Sequence, residues 1–127
     1  MRPTLLQYLA VGGAGFLGAI SRFFIATLSG RTLGTDFPWG TLIINITGSF
    51  ILGWFTTVVT SRMIVSDELR LAIGVGFVGA YTTFSTFMWE SSALMNQGEW
   101  IKAGLNLIGS LVLGLIAVRL GVYAGAR

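Results

Sequence analysis

The charged residues of this chain are placed so that four long stretches contain none: residues 3–21, 37–61, 71–89 and 103–118 hold no Lys, Arg, Asp or Glu. A helix rises about 1.5 Å per residue, so about 20 residues cross the hydrocarbon core of a bilayer. Of the 127 residues, 54% are hydrophobic and 10% charged, and a soluble domain of this length has too little interior to hide so much apolar surface. The expectation is an all-α membrane protein with four transmembrane helices forming one domain, 1–127, with spans near 4–29, 38–61, 69–95 and 99–124. Such a chain is a multi-pass protein of the cell membrane, the inner membrane if its source is bacterial, with the lipid bilayer as its solvent. The first stretch follows Arg2 as a signal peptide would, but it exceeds signal-peptide length and reaches Arg22 without a small-residue cleavage pattern.

Composition removes most enzyme chemistry. Cysteine and histidine are absent, which excludes disulfides, thiolate and imidazole metal ligands, and every Cys/His or Ser/His nucleophile. Asp67 and Glu68 sit together in a connector, and Glu90 and Glu99 flank a short loop, so paired carboxylates are poorly placed for acid–base work. No enzyme activity is expected. The net charge of +3 comes from eight basic and five acidic residues spread along the chain, not massed as a phosphate-following patch, so no nucleic-acid partner is expected.

The basic residues also set orientation. With four spans, one side of the membrane receives Arg2, Arg62, Arg70 and Arg127, with Arg119 close to it, and the other receives Arg31 and Lys102, with Arg22 approaching. This is a weak positive-inside bias. One reading is that a single orientation wins; the other is that both occur and pair antiparallel about a two-fold axis in the membrane plane. One subunit of four thin helices is too small to enclose a polar passage alone.

Inside the third apolar stretch the chain reads Gly79-Ala80-Tyr81-Thr82-Thr83-Phe84-Ser85-Thr86-Phe87. Hydroxyls and phenyl rings crowded at a helix break are costly in lipid unless they line something, which points to a path for a small solute. The second span places Thr41, Asn45, Ser49 and Gly53 at four-residue spacing, a slowly turning stripe, and the fourth repeats the pattern with Asn106, Ser110 and Gly114. Phe84 and Phe87 share a face of the third span, with Thr83 one turn before Phe87. Polar stripes serve interhelical hydrogen bonding, or they line a pathway; amide and hydroxyl donors with the positive edges of phenyl rings suit an anion. The 18 glycines, many on the spans, suit close helix packing. Arg22 either snorkels outward or raises the potential met by an entering anion. Glu90 is expected at a wet vestibule or paired with a neighbour.

In order along the chain, Gly12-Gly13-Ala14-Gly15-Phe16-Leu17-Gly18-Ala19-Ile20-Ser21-Arg22, then Pro38-Trp39-Gly40-Thr41-Leu42 with Asn45, Gly48 and Gly53, then Gly76 to Phe87, form a combination that resembles the Fluc (CrcB) family of fluoride channels. The resemblance spans nearly the whole chain. It implies a dual-topology antiparallel homodimer with two pores, the third helix broken mid-membrane, passing fluoride passively out of the cytoplasm. By position it implies that Phe84 and Phe87 line each pore, that Asn45 hydrogen-bonds the ion, and that Thr41, Ser110, Thr83 and Arg22 belong to the pathway. It further implies a structural sodium ion (Na+) held by backbone carbonyls of Gly79 and Thr82 from both subunits. The role of Asn106 is left open. Carbonyls freed by an unwound helix are a known way to bind a hard cation in a membrane.

Two rival readings remain. A small multidrug or proton-coupled exporter needs a carboxylate at membrane depth, and the first span has none over residues 3–21. An accessory subunit would use its stripes only to bind partner helices.

Overall fold

The computed structural model describes residues 2–62 and 65–127 and is all-helical. Its four spanning units are Leu5–Leu33, Trp39–Ser61, Asp67–Asn96 and Trp100–Ala126, each long and apolar enough to cross a membrane. We label the helices α1 (Leu5–Leu33), α2 (Trp39–Ser61), α3 (Asp67–Arg70), α4 (Gly79–Tyr81), α5 (Phe84–Asn96) and α6 (Trp100–Ala126); a π-helical segment, Leu71–Val78, joins α3 to α4.

Local chemistry sets the ends. Thr4 and Gln7 form a capping box on α1: the Gln7 N–H donates to Thr4 Oγ1 (3.3 Å) and the Thr4 N–H to Gln7 Oε1 (3.0 Å). The helix then runs through Arg22 to Leu33, past the expected end near 29, and stops at Gly34, whose φ of 84° few other residues adopt. Ser66 caps α3, its hydroxyl accepting from the Leu69 N–H (3.3 Å), while Asp67 and Glu68 meet the positive end of the helix dipole. At the far end of α5, Gly98 N–H donates to the Met95 carbonyl and Glu99 N–H to the Leu94 carbonyl, both at 2.9 Å, a Schellman turn that needs the positive φ of Gly98.

Short connectors make successive spans alternate in direction. The first and third spans are therefore parallel neighbours, and so are α2 and α6, which pack along most of their length. Both interfaces are built on glycine. A methyl group at Gly121 would strike the Phe50 carbonyl and, at 2.8 Å, the Trp54 nitrogen; one at Gly18 would strike the Phe77 carbonyl. Backbones thus approach to a distance that excludes any side chain, which is how helices gain packing energy in lipid.

The interior is small and the outside greasy. Ile44, Val78, Tyr81 and Leu94 are among the buried apolar residues, while Leu, Ile and Phe side chains stand exposed along α1 and α6. That arrangement suits a solvent as apolar as leucine. Trp39 and Trp100 are exposed at the starts of α2 and α6, at the same end of the bundle, where an aromatic belt meets the headgroups.

Gly121→Ala is expected to destabilise the helix pair by about 1–3 kcal/mol through overpacking, whereas Gly104→Ala, with nothing within 4 Å of its added methyl, should hold or slightly raise the melting temperature in detergent, because alanine is the better helix former. Thermal unfolding of the two variants checks the contrast.

Candidate functional site

Regular helix stops between α4 and α5. Thr82 (φ −79°, ψ 160°) and Thr83 (φ −151°, ψ 119°) are extended, so the backbone here must find partners outside the helix. Asn45 on α2 supplies them. Its Nδ2 donates to the Thr83 carbonyl (2.9 Å) while its Oδ1 accepts from the Thr83 N–H (2.8 Å), as a strand neighbour would. Thr83 in turn caps α5, its hydroxyl accepting from the Thr86 N–H (3.3 Å) and donating to Thr86 Oγ1 (2.9 Å).

These bonds have a second effect. In an unbroken helix the Thr83 N–H would serve the Gly79 carbonyl and the Thr86 N–H the Thr82 carbonyl. With those donors turned to Asn45 and to the Thr83 hydroxyl, the Gly79 and Thr82 carbonyls lose their helical partners. Among the described residues no group of carboxylates, cysteines or histidines could hold a metal ion. Two released carbonyl oxygens are hard, neutral ligands of the kind an alkali cation takes.

Phe84 and Phe87 open α5 on the other side of the break. Their ring centroids are 6.1 Å apart with planes at 67°, an edge-on arrangement, and Phe84 is 73% exposed. A cavity of about 270 Å³ lies against the break, lined by Asn45, Ser49, Thr82, Thr83 and Phe84 among others. It is the place where the second-span stripe meets Phe84. Beneath it Tyr81 is buried, stacked on Phe77 (5.9 Å, 11°), with its hydroxyl 2.9 Å from that of Thr47. The Thr47 proton goes to the Ile43 carbonyl at 2.7 Å, so Tyr81 is the donor.

Other residues singled out in the sequence fall into different neighbourhoods. Thr41 is buried and donates its hydroxyl to Glu90 Oε1 (2.8 Å) in a larger cavity of about 400 Å³, which Asp36, Glu99 and Lys102 also line. Glu90 therefore sits inside α5, six residues before its end at Asn96, paired with a neighbour and beside an opening. Ser110 contacts Asn106, not Asn45: its hydroxyl lies 3.4 Å from Asn106 Oδ1. Arg22 is half-buried on α1, lines neither cavity and makes no ion pair among the described residues; the ion pair there joins Lys102 to Glu99 (3.3 Å). Gly79 is exposed.

The sequence did not point to Ser91, to the Tyr81–Thr47 bond or to Glu90 as partner of Thr41. Thr41 and Glu90 are 49 residues apart, and no spacing rule connects them.

Comparison with known proteins finds relatives of this chain. The family model described as CrcB-like protein, Camphor Resistance (CrcB), matches residues 9–122. A fluoride-specific ion channel FluC of Koribacter versatilis (strain Ellin345) is 46% identical over 124 residues, covering 98% of each chain. One from Opitutus terrae is 44% identical over 123 residues (95% of this chain, 92% of that one), and one from Acidobacterium capsulatum is 44% identical over 122 (96% and 98%).

Asn45→Ala strips both partners from Thr83 and is expected to cost about 1–3 kcal/mol for each backbone group left unpaired. Hydrogen exchange should quicken at the Thr83 amide far more than at amides in the middle of α6.

Proposed function

This chain belongs to the CrcB-like protein family, and from that footing we propose that it is a fluoride channel, passing the ion passively out of the cytoplasm and so relieving fluoride toxicity. The observation that carries the reading is the edge-on pair Phe84 and Phe87 set directly after a break that Asn45 holds open, in a chain 46% identical to a fluoride-specific channel. It is a conduit across a membrane and not an enzyme.

Fluoride is small and tightly hydrated, so a path must replace its water with close donors without trapping it. Neutral amides, hydroxyls and ring edges hold an anion less deeply than Arg or Lys would, and weak multi-site binding permits exit. In this reading the ion passes along the Phe84 and Phe87 edges and meets Asn45, with Thr41, Thr83 and Ser110 giving further polar contacts and Arg22 raising the potential on the approach. Thr41 and Thr83 have their protons engaged, by Glu90 and by Thr86, so each must turn its hydroxyl to meet an anion.

The working unit in this proposal is an antiparallel homodimer of chains inserted in both directions. Several features support it. The Gly79 and Thr82 carbonyls have lost their helical donors, and in lipid such groups cost several kcal/mol unless something covers them. Gly79 and Phe84 are exposed in the single chain, so the side of the break lacks a wall. A second copy supplies that wall. Gly79 and Thr82 of the two copies would hold a sodium ion, which contributes a fixed charge that fastens the subunits.

Liposomes loaded with fluoride and reconstituted with the purified protein should release it, while chloride-loaded liposomes should not; retention equal to protein-free vesicles overturns the reading. Phe84→Ile or Phe87→Ile should cut fluoride efflux at least about tenfold, the weight of roughly one lost ion contact, with the dimer still eluting intact in detergent. Because the chain contains no cysteine, one added after Arg127 reports orientation. It should react with an impermeant maleimide from both sides of the membrane, and reaction from a single side would exclude the antiparallel assembly.

A further inference from the structure

Asn106 is completely buried, an amide enclosed among the helices. It sits on α6 facing α5. Its Nδ2 donates to Ser91 Oγ (2.9 Å), and Ser91 Oγ donates to the Phe87 carbonyl one turn back (2.8 Å). A serine has one proton. With that proton on the Phe87 carbonyl, Ser91 can only accept from Asn106, so the amide nitrogen must face α5 and the amide oxygen must face the other way. The other way is Ser110, whose hydroxyl points at Oδ1 across 3.4 Å.

That distance is the informative quantity. Neutral O–H···O bonds cluster near 2.7–2.8 Å, so this one is stretched and weak. Several hydroxyls in the spans settle on the carbonyl four residues earlier: Ser49 on Asn45 (2.7 Å), Thr57 on Gly53 (2.8 Å), Ser91 on Phe87 (2.8 Å). Ser110 has the same option, the backbone carbonyl of residue 106, and does not take it. Its contact is instead the Asn106 amide oxygen.

Resting on the fluoride-channel reading and on Ser110 as a pathway residue, we propose that Asn106 is a positioning residue that keeps the Ser110 proton on a long, easily broken bond, ready to turn to a passing fluoride. The anion then displaces a weak contact and not a strong one. Ser91 sets the polarity of the device by fixing which end of the amide faces Ser110. The relay also ends on the Phe87 carbonyl, so the hydroxyl and the backbone that carries one ring of the aromatic pair are joined by one set of bonds.

The test is the fluoride concentration dependence of efflux from liposomes. Asn106→Leu keeps the branched heavy-atom shape without a polar atom and lets Ser110 fall back onto the residue 106 carbonyl; the half-saturating fluoride concentration should rise about fivefold, the worth of one ordinary neutral hydrogen bond. Ser110→Ala should raise it similarly, and the double variant should rise no further than Ser110→Ala alone. Ser91→Ala, which removes only a hydroxyl, should shift it the same way by a smaller factor and serves where the leucine variant fails to assemble. A loss of folded channel lowers maximal efflux and leaves half-saturation in place. An unchanged half-saturation in Asn106→Leu or Ser91→Ala, or independent factors that multiply in the double variant, overturns the proposal. Failure of the wild-type protein to release fluoride at all strikes the channel reading instead.

Discussion

The fold turns on one side chain meeting one peptide unit. Asn45 offers both a donor and an acceptor, and Thr83 presents both a carbonyl and an N–H, so a single amide repairs the two backbone groups that an interrupted helix leaves bare. In water this would be a minor convenience. In hydrocarbon no solvent stands ready to take those groups, and without the amide the segment would favour winding shut. An aspartate at this position could accept but not donate; a leucine could do neither. The need for reciprocal bonding, more than polarity in general, accounts for the amide.

Everything near the break follows from the donors it redirects. Thr83 and Thr86 are turned inward to Asn45 and to the cap, Gly79 and Thr82 carbonyls are turned loose, and Phe84 emerges at the first turn of a freshly started helix, where no preceding turn covers it. Close packing of the parallel pairs steadies the two halves. Gly48 touches this arrangement directly, since a methyl there would strike the Thr82 side chain and lie 3.3 Å from the Tyr81 ring.

Much of the architecture was legible in the sequence because charge is so expensive in lipid. Arg62 and Arg70, Glu90 and Lys102 bracket the apolar stretches, and the spanning units fall around them, though α1 carries Arg22 within its length and runs on to Leu33. The stripes were legible as periodicity, and their partners were not. Thr41, Asn45 and Gly53 lie on one line of α2, yet they meet Glu90, Thr83 and Val118 in turn, because the helix rotates past different neighbours as it rises. The extended residues Thr82 and Thr83 lie inside the Gly79 to Phe87 run that the crowded hydroxyls and rings had singled out. The π-helical run had no signature, since its residues, Leu71-Ala72-Ile73-Gly74-Val75-Gly76-Phe77-Val78, suit an ordinary span.

That run carries a consequence of its own. Hydrogen bonds reaching five residues back put more residues into each turn than an α-helix holds, so across Leu71–Val78 the chain falls progressively behind the α-helical phase. The lag acts like a setscrew. It fixes the azimuth at which Tyr81 reaches Thr47 and at which the following threonines arrive beside Asn45. Rewinding the segment to the common pitch would rotate all of them together, leaving every residue present and the alignment lost. Length in this stretch is therefore a form of information, and losing one residue here would be felt as a twist before it was felt as a gap.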